Sequence, residues 1–194
     1  MTRRLPLDRG QSLVEFALVL PLVVLIALGV IEIGYALLDQ HVVTKLTREG
    51  SNLISRDVTI SDAVNAMRNM STRPVDFGTR SKVIFTVLRK GTTTGTANYD
   101  QVIAYQRFEY GALTGPTSAL QTRGTGSYRS APDYEANNAD TDSRLQIANL
   151  PGNLTLDRGG SLYVTEIYTR HDLITPLSGF GVNVPNTLYS MAIF

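Results

Sequence analysis

The apolar residues of this chain are concentrated in one stretch near its start. Phe16 to Ile31, FALVLPLVVLIALGVI, is sixteen residues without a charge. At 1.5 Å rise per residue the run spans roughly 24 Å as a helix, and about 28 Å when extended back to Leu13. The hydrocarbon core of a bilayer is close to that, at about 30 Å. The extension includes one acid, Glu15. A carboxylate costs roughly 2.5–3.5 kcal/mol at mid-membrane and less near an interface, whereas the Leu, Ile, Val and Phe side chains of the run together return about 4–7 kcal/mol. Insertion wins, and Glu15 is carried along at a cost that needs a reason.

The helical pattern continues past the apolar run. Glu32 to Arg56 reads EIGYALLDQHVVTKLTREGSNLISR, and no proline follows Pro21 until Pro74. Leu38, Val42, Leu46 and Leu53 recur at spacings of four, four and seven, which makes one apolar stripe with Ile54 and Tyr35 beside it. Asp39, Lys45, Arg48, Glu49 and Arg56 cover other faces. The pattern predicts one helix from about Ser12 to about Arg56, roughly 65 Å long, apolar all round in its first half and amphipathic in its second. Pro21 removes one backbone hydrogen bond within it. A short helix follows over Asp62–Met70, with Ser61 as N-cap and Ala63, Ala66, Met67 and Met70 as its apolar face.

The rest of the chain has strand composition in four places: Lys82–Arg89 (KVIFTVLR), Gln101–Glu109 (QVIAYQRFE), Ser161–Arg170 (SLYVTEIYTR) and Thr187–Phe194 (TLYSMAIF). Ten residues, GTTTGTANYD, join the first two in hairpin fashion. The expected fold class is therefore α+β: a long N-terminal transmembrane and amphipathic helix packed on a four-stranded antiparallel sheet. Residues 111–160, rich in Thr, Ser, Gly, Asn and Asp, read as a surface excursion with some local structure, Arg144–Leu150 forming a short helix or strand. Such a segment is a natural place for adhesion or partner contacts.

The apolar segment admits three readings. A removable secretory signal would place cleavage near Ala27-Leu28-Gly29, but the helical pattern runs far beyond Gly29. A buried core helix would not need sixteen uncharged residues in succession. A membrane span fits both features. Arg3, Arg4 and Arg9 precede the run, and mixed charges follow it. The excess of positive charge on the leading side puts the N-terminus in the cytoplasm and the remaining ~150 residues outside.

Ahead of the span stands Arg9-Gly10-Gln11-Ser12-Leu13-Val14-Glu15-Phe16: a short basic leader ending in Gly, then Glu five residues on, then an aromatic and an apolar stretch. This resembles the prepilin signal of the type IV pilin superfamily. Together with the TREGSNLISR that follows, it resembles more narrowly the TadE-like family, minor pilins or pseudopilins of tight-adherence (Tad) pilus systems. The resemblance covers about Arg9 to Arg56. It implies a pilin-like fold, cleavage by a prepilin peptidase between Gly10 and Gln11, and an assembly role for Glu15 and Phe16. Relatives often have Tyr where Phe16 stands, so the ring is kept and the hydroxyl lost. The implied partners are the prepilin peptidase, other pilin subunits through the N-terminal helix, an inner-membrane assembly platform and membrane lipid. The implied segments are a leader over 1–10, a span over 11–33, an amphipathic extension over 34–56 and an extracytoplasmic domain over 57–194.

Physical sense can be given to the motif. Glycine lets an extended backbone lie flat in a protease cleft. Cleavage would expose an α-amino group on Gln11, and both it and the Glu15 carboxylate would sit in or near an apolar zone where unpaired charge is costly. A neighbouring subunit's amine set against this carboxylate relieves both costs, which makes Glu15 a register mark for assembly. Alternatively, Glu15 snorkels to headgroups at the cytoplasmic interface.

Composition narrows the function classes. The 194 residues carry 18 basic and 17 acidic side chains, and the mature product would carry 15 and 16. No charge run or basic excess marks a nucleic-acid surface. Zero Cys excludes disulfides, thiolate metal sites and cysteine catalysis. Asn138-Ala139-Asp140-Thr141-Asp142-Ser143 begins like a calcium loop but lacks the Gly at its sixth position, and its twelfth is Asn149 rather than Glu. His41 and His171 lack any motif supplying further metal ligands, and Ser12 and Ser161 have no nucleophile-elbow context. No catalytic residue, metal site or cofactor is expected, and an enzyme is the weakest class. Two classes remain: a cleaved structural subunit of a pilus, or an uncleaved single-pass scaffold or secretion adaptor.

Overall fold

The structure is a computed structural model that describes residues 8–151, 154–176, 179, 181 and 186–194. Most of the leader, with Arg3 and Arg4, lies outside the described residues. The chain divides into two compact units, one of Met1–Leu38 with Asp172–Asn186 and one of Asp39–His171 with Thr187–Phe194. Helix α1 (Asp8–Ser55) runs through both without a break and contains Pro21. It starts four residues before the predicted Ser12 and ends one before the predicted Arg56.

In the larger unit, α1 buries Val43, Leu46, Thr47, Gly50, Ser51 and Ile54. The contact line is therefore displaced from the stripe read in the sequence: Leu38 is exposed, and Val42 and Leu53 are only half-buried. Small residues draw the helix in. A Cβ on Gly50 would fall 2.7 Å from Met67 Sδ and 2.9 Å from Thr165 Cγ2. Ser51 Oγ donates to the carbonyl of Ala192 at 2.9 Å, and Thr47 Oγ1 returns its donor to the Val43 carbonyl at 2.7 Å. A search for apolar side chains passes over such positions because their contribution is closeness, not area.

Helix α2 (Ile60–Met70) begins two residues earlier than predicted. Its cap is Thr59, not Ser61. Thr59 Oγ1 accepts from the Asp62 amide at 3.1 Å and donates to Asp62 Oδ2 at 2.8 Å, a reciprocal arrangement of N-cap and third helical residue. Starting there turns Ile60, Ala63, Val64 and Met67 inward and leaves Met70 exposed.

Four strands follow, β1 (Ser81–Lys90), β2 (Val102–Tyr110), β3 (Ser161–Arg170) and β4 (Thr187–Ile193), in the order β2-β1-β3-β4. Every pairing is antiparallel, with Phe85 opposite Phe108 on one side and Thr165 on the other. One face of this sheet, through Val83, Phe85 and Ile167, meets Val43, Leu46, Ile54, Ile60 and Met67 of the helices. The opposite face, through Leu88, Ala104 and Val164, is closed by Leu120 and Leu156 of the 111–160 segment.

That second layer gives the 111–160 segment a structural part at the surface. The segment covers a sheet face, and β1 is apolar without alternation because it is buried on both sides. Isolated bridges fasten the segment to β2 and to itself, including Ile103 with Gln146 and Thr122 with Ile147. Within Arg144–Leu150 the regular structure is a single 3₁₀ turn over Ser143–Leu145. Asn98, fully buried in the β1–β2 connection, donates to the carbonyls of Ala139 and Asp142 and accepts from Gln146 Nε2 at 2.9 Å. One amide thus ties that connection to the covering layer. Gly111 lies where β2 turns off the sheet, at φ 128°, and a Cβ there would meet the Ser81 carbonyl oxygen at 2.2 Å.

Two substitutions test this packing in the full-length detergent-solubilised chain. Phe85→Ala removes the largest side chain between helices and sheet and is expected to lower unfolding stability by about 3–5 kcal/mol in denaturant titration. Gly50→Val overfills the closest helix contact, with an expected loss of about 1–3 kcal/mol.

Candidate functional site

The sequence places its candidate chemistry on the first half of α1, and the smaller unit contains all of it. Gly10, Gln11, Glu15 and Phe16 lie in continuous, solvent-exposed helix. Gln11 and Glu15 are one turn apart, and Gln11 Nε2 donates to Glu15 Oε1 at 2.9 Å. A Cβ built on Gly10 meets nothing within 4 Å. The space around this glycine, unlike that around Gly50, sets no steric demand for a missing side chain.

Beyond Phe16 the helix presents apolar surface over most of its circumference, with Leu25, Leu28 and Gly29 half-buried along one line. Of the 21 exposed large apolar side chains among the described residues, 16 lie between Leu13 and Leu38. Their exposure is a property of one segment, and a helix of this length and composition can cross a membrane.

A second carboxylate in this unit was not singled out by the sequence. Glu32 follows the apolar run directly, yet its side chain is almost wholly buried. Thr175 supplies its amide at 2.8 Å and its hydroxyl at 2.6 Å to Glu32 Oε2. The Ile174 amide adds weaker contacts of 3.2 and 3.3 Å to the two oxygens. The partners come from the β3–β4 connection, more than 140 residues away in sequence, so no local pattern announces them. The only available signal was a lone acid bordered by Ile31 and Ile33.

The larger unit accounts for the remaining chemically suggestive residues. His41 is exposed on α1. His171 is buried, its Nδ1 2.7 Å from Asp39 Oδ2, which joins the end of β3 to α1. The Asn138–Asp142 segment closes as a turn, the Asn138 carbonyl accepting from the Thr141 and Asp142 amides. Asp142 caps the 3₁₀ turn and holds the Arg144 guanidinium at 2.8 Å. Those hydrogen bonds hold its carboxyl below the usual carboxylate range. Among the described residues, no three His, Asp or Glu side chains converge as metal ligands.

Glu166, buried on β3, accepts from Ser118 Oγ, from the Ala119 amide at 2.8 Å and from the Tyr189 hydroxyl at 3.0 Å. Burial and that carboxylate push the Tyr189 phenol above its ordinary range. The carboxylate fastens the covering segment to the sheet. In a hollow of about 440 Å³ beside β1, Arg89 stacks 4.0 Å over the Tyr105 ring while Lys90 pairs with Asp100 at 3.1 Å.

These features define a class: an α+β protein led by a helix that can anchor it in a membrane. The sequence profile of one family, described as TadE-like protein, matches residues 10–52, and over that segment the chain is similar to that family. No curated protein and no solved structure matches it. The matched segment begins at Gly10 and ends within the part of α1 that packs on the sheet. The family is a structural, pilin-type one, and its match connects the chain with Tad pili and, together with the apolar helix, with membrane anchoring.

Removal of the Glu32 acceptor tests the contact in the smaller unit. Hydrogen bonds to a charged acceptor contribute about 1.5–3 kcal/mol. Glu32→Ala is expected to speed amide exchange at Ile174 and Thr175 by roughly 10–100-fold, read by hydrogen–deuterium exchange of the full chain in detergent.

Proposed function

We propose that this chain is a TadE-like minor pilin or pseudopilin. It enters the inner membrane as a precursor with its N-terminus in the cytoplasm and its sheet domain outside. A prepilin peptidase cuts between Gly10 and Gln11, and the mature subunit serves Tad-type pilus assembly and surface adhesion. The observation that carries the reading is the uncovered apolar surface from Leu13 to Leu38, directly following a Gly-Gln-x-x-x-Glu segment. Such a surface needs lipid before assembly and neighbouring subunits after it.

The roles of the N-terminal residues follow. Gly10 answers to the peptidase cleft, which fits the open space around it. The new Gln11 amine and the Glu15 carboxylate pair between subunits, replacing the Gln11–Glu15 contact made within one chain. Phe16 packs against the neighbouring helix. Other pilin subunits and the inner-membrane assembly platform are the expected partners, with lipid as the solvent of the unassembled form.

N-terminal sequencing of material from envelope and sheared-filament fractions tests this. The expected mature start is Gln11, with Gly10→Glu leaving full-length precursor. Glu15→Leu is expected to be cleaved normally yet lost from the filament fraction by about tenfold or more, as for removal of a buried charge pair. A full-length chain starting at residue 1 in every fraction would favour the uncleaved scaffold instead.

A further inference from the structure

The contact between Glu32 and the β3–β4 connection has a consequence for where that connection lies. The exposed apolar surface of α1 does not end at Ile31. It continues past Glu32 through Ile33, Tyr35, Leu37 and Leu38. From Leu13 to Leu38 the helix rises about 38 Å, more than the ~30 Å hydrocarbon core and close to the ~40–45 Å that includes both headgroup layers. Glu32 stands about 28 Å above Leu13, at the outer edge of the hydrocarbon. Tyr35, one turn further, falls at the level where aromatic belts occur.

An ionised carboxylate at that depth needs hydrogen-bond donors that water supplies poorly. Its donors include the amides of Ile174 and Thr175 and the Thr175 hydroxyl, the closest at 2.6 Å. Backbone at the same height must likewise have its polar groups satisfied, and two of its N–H groups are satisfied by this carboxylate. The composition of the connection agrees. Ile174 is 56% exposed although it adjoins the buried contact. None of residues 173–194 is charged, and Leu177, Phe180, Val182 and Val184 follow Ile174 in the sequence.

We propose that the β3–β4 connection around Ile174 is a membrane-seated element. Glu32 pins it to the span, and Ile174 enters the boundary between headgroups and acyl chains of the outer leaflet. The occupant of the exposed apolar surface at Ile174 is thus lipid. The subunit touches the membrane at two places, the span and this connection, and both contacts must be given up on leaving the bilayer. The inference rests on the membrane-anchored reading above.

The chain has no cysteine, so single labels can be placed without background. Ile174→Cys and Leu22→Cys, each carrying a polarity-sensitive fluorophore, are reconstituted full length in phosphatidylethanolamine–phosphatidylglycerol vesicles with nitroxide-bearing lipids. The expected result is quenching at both positions. At 174 it is strongest for nitroxides near the headgroups, as for insertion roughly 5–10 Å deep. Adding Glu32→Leu is expected to reduce quenching at 174 severalfold and leave that at 22 unchanged.

Quenching at 22 without quenching at 174 overturns the inference and leaves the anchored reading standing. Quenching at neither overturns both. Protection of the 174 label from aqueous iodide without lipid quenching also overturns it, because a second copy of the chain would then be the cover. Quenching at 174 unaffected by Glu32→Leu overturns the pinning role.

Discussion

The apolar surface of α1 between Leu13 and Leu38 is the constraint on which the rest of the molecule turns. A helix carrying this much apolar area over most of its circumference is not stable in water on its own account, because most helical stability in proteins comes from a packed face. The later half of α1 obtains such a face, from Val43 to Ile54 against α2 and the sheet. The apolar side chains left exposed on the earlier half call for apolar surroundings of another kind. Membrane and neighbouring subunit are the two sources that a TadE-like segment implies, and both act on the same side chains.

The two halves of the helix use glycine differently, which separates structural demand from other demands. Gly50 is explained by its surroundings, since Met67 and Thr165 stand where its side chain would be. Gly10, Gly29 and Gly34 have open space around them. Each carries up to about 1 kcal/mol of helix propensity cost relative to alanine, less near the helix end. Among the described residues no close contact offsets that cost at these three positions. Gly10 is answered by proteolysis in the proposed pathway, while Gly29 and Gly34 would permit close helix approach within a bilayer.

Much of the fold was legible from pattern alone. The short helix and all four strands fall within a residue or two of their expected bounds, and the long helix does so at its end while starting four residues early, because each is a periodic run set off by turn residues. What escaped depends on partners distant in sequence. Thr47, Gly50 and Ser51 line the helix–sheet contact, but smallness has no period to detect. The 111–160 segment covers a sheet face with few apolar residues, Leu120 and Leu156 among them, and fastens itself through Asn98 and Glu166. The unalternating apolar run of β1 was the signal that both sheet faces are buried. Of the candidate site, the sequence supplied Gly10 to Phe16 and passed over Glu32, whose donors lie in the β3–β4 connection.

Glu15 and Glu32 are separated by 17 residues, about 26 Å of helix, so one span carries a carboxylate near each end. Their surroundings divide the labour between them. Glu32 has its donors supplied from within its own unit, and burial makes that contact independent of any second molecule. Glu15 is exposed, and it accepts from one flexible glutamine side chain a turn away. A carboxylate already satisfied gains little from a partner, whereas one that is only lightly held gains much when it is moved into an apolar setting. On the proposed reading, chemistry between subunits therefore belongs at the Glu15 end of the helix, and chemistry that shapes the single subunit belongs at the Glu32 end. In that scheme the asymmetry lets the same apolar rod be anchored by one acid and registered by the other without the two roles competing.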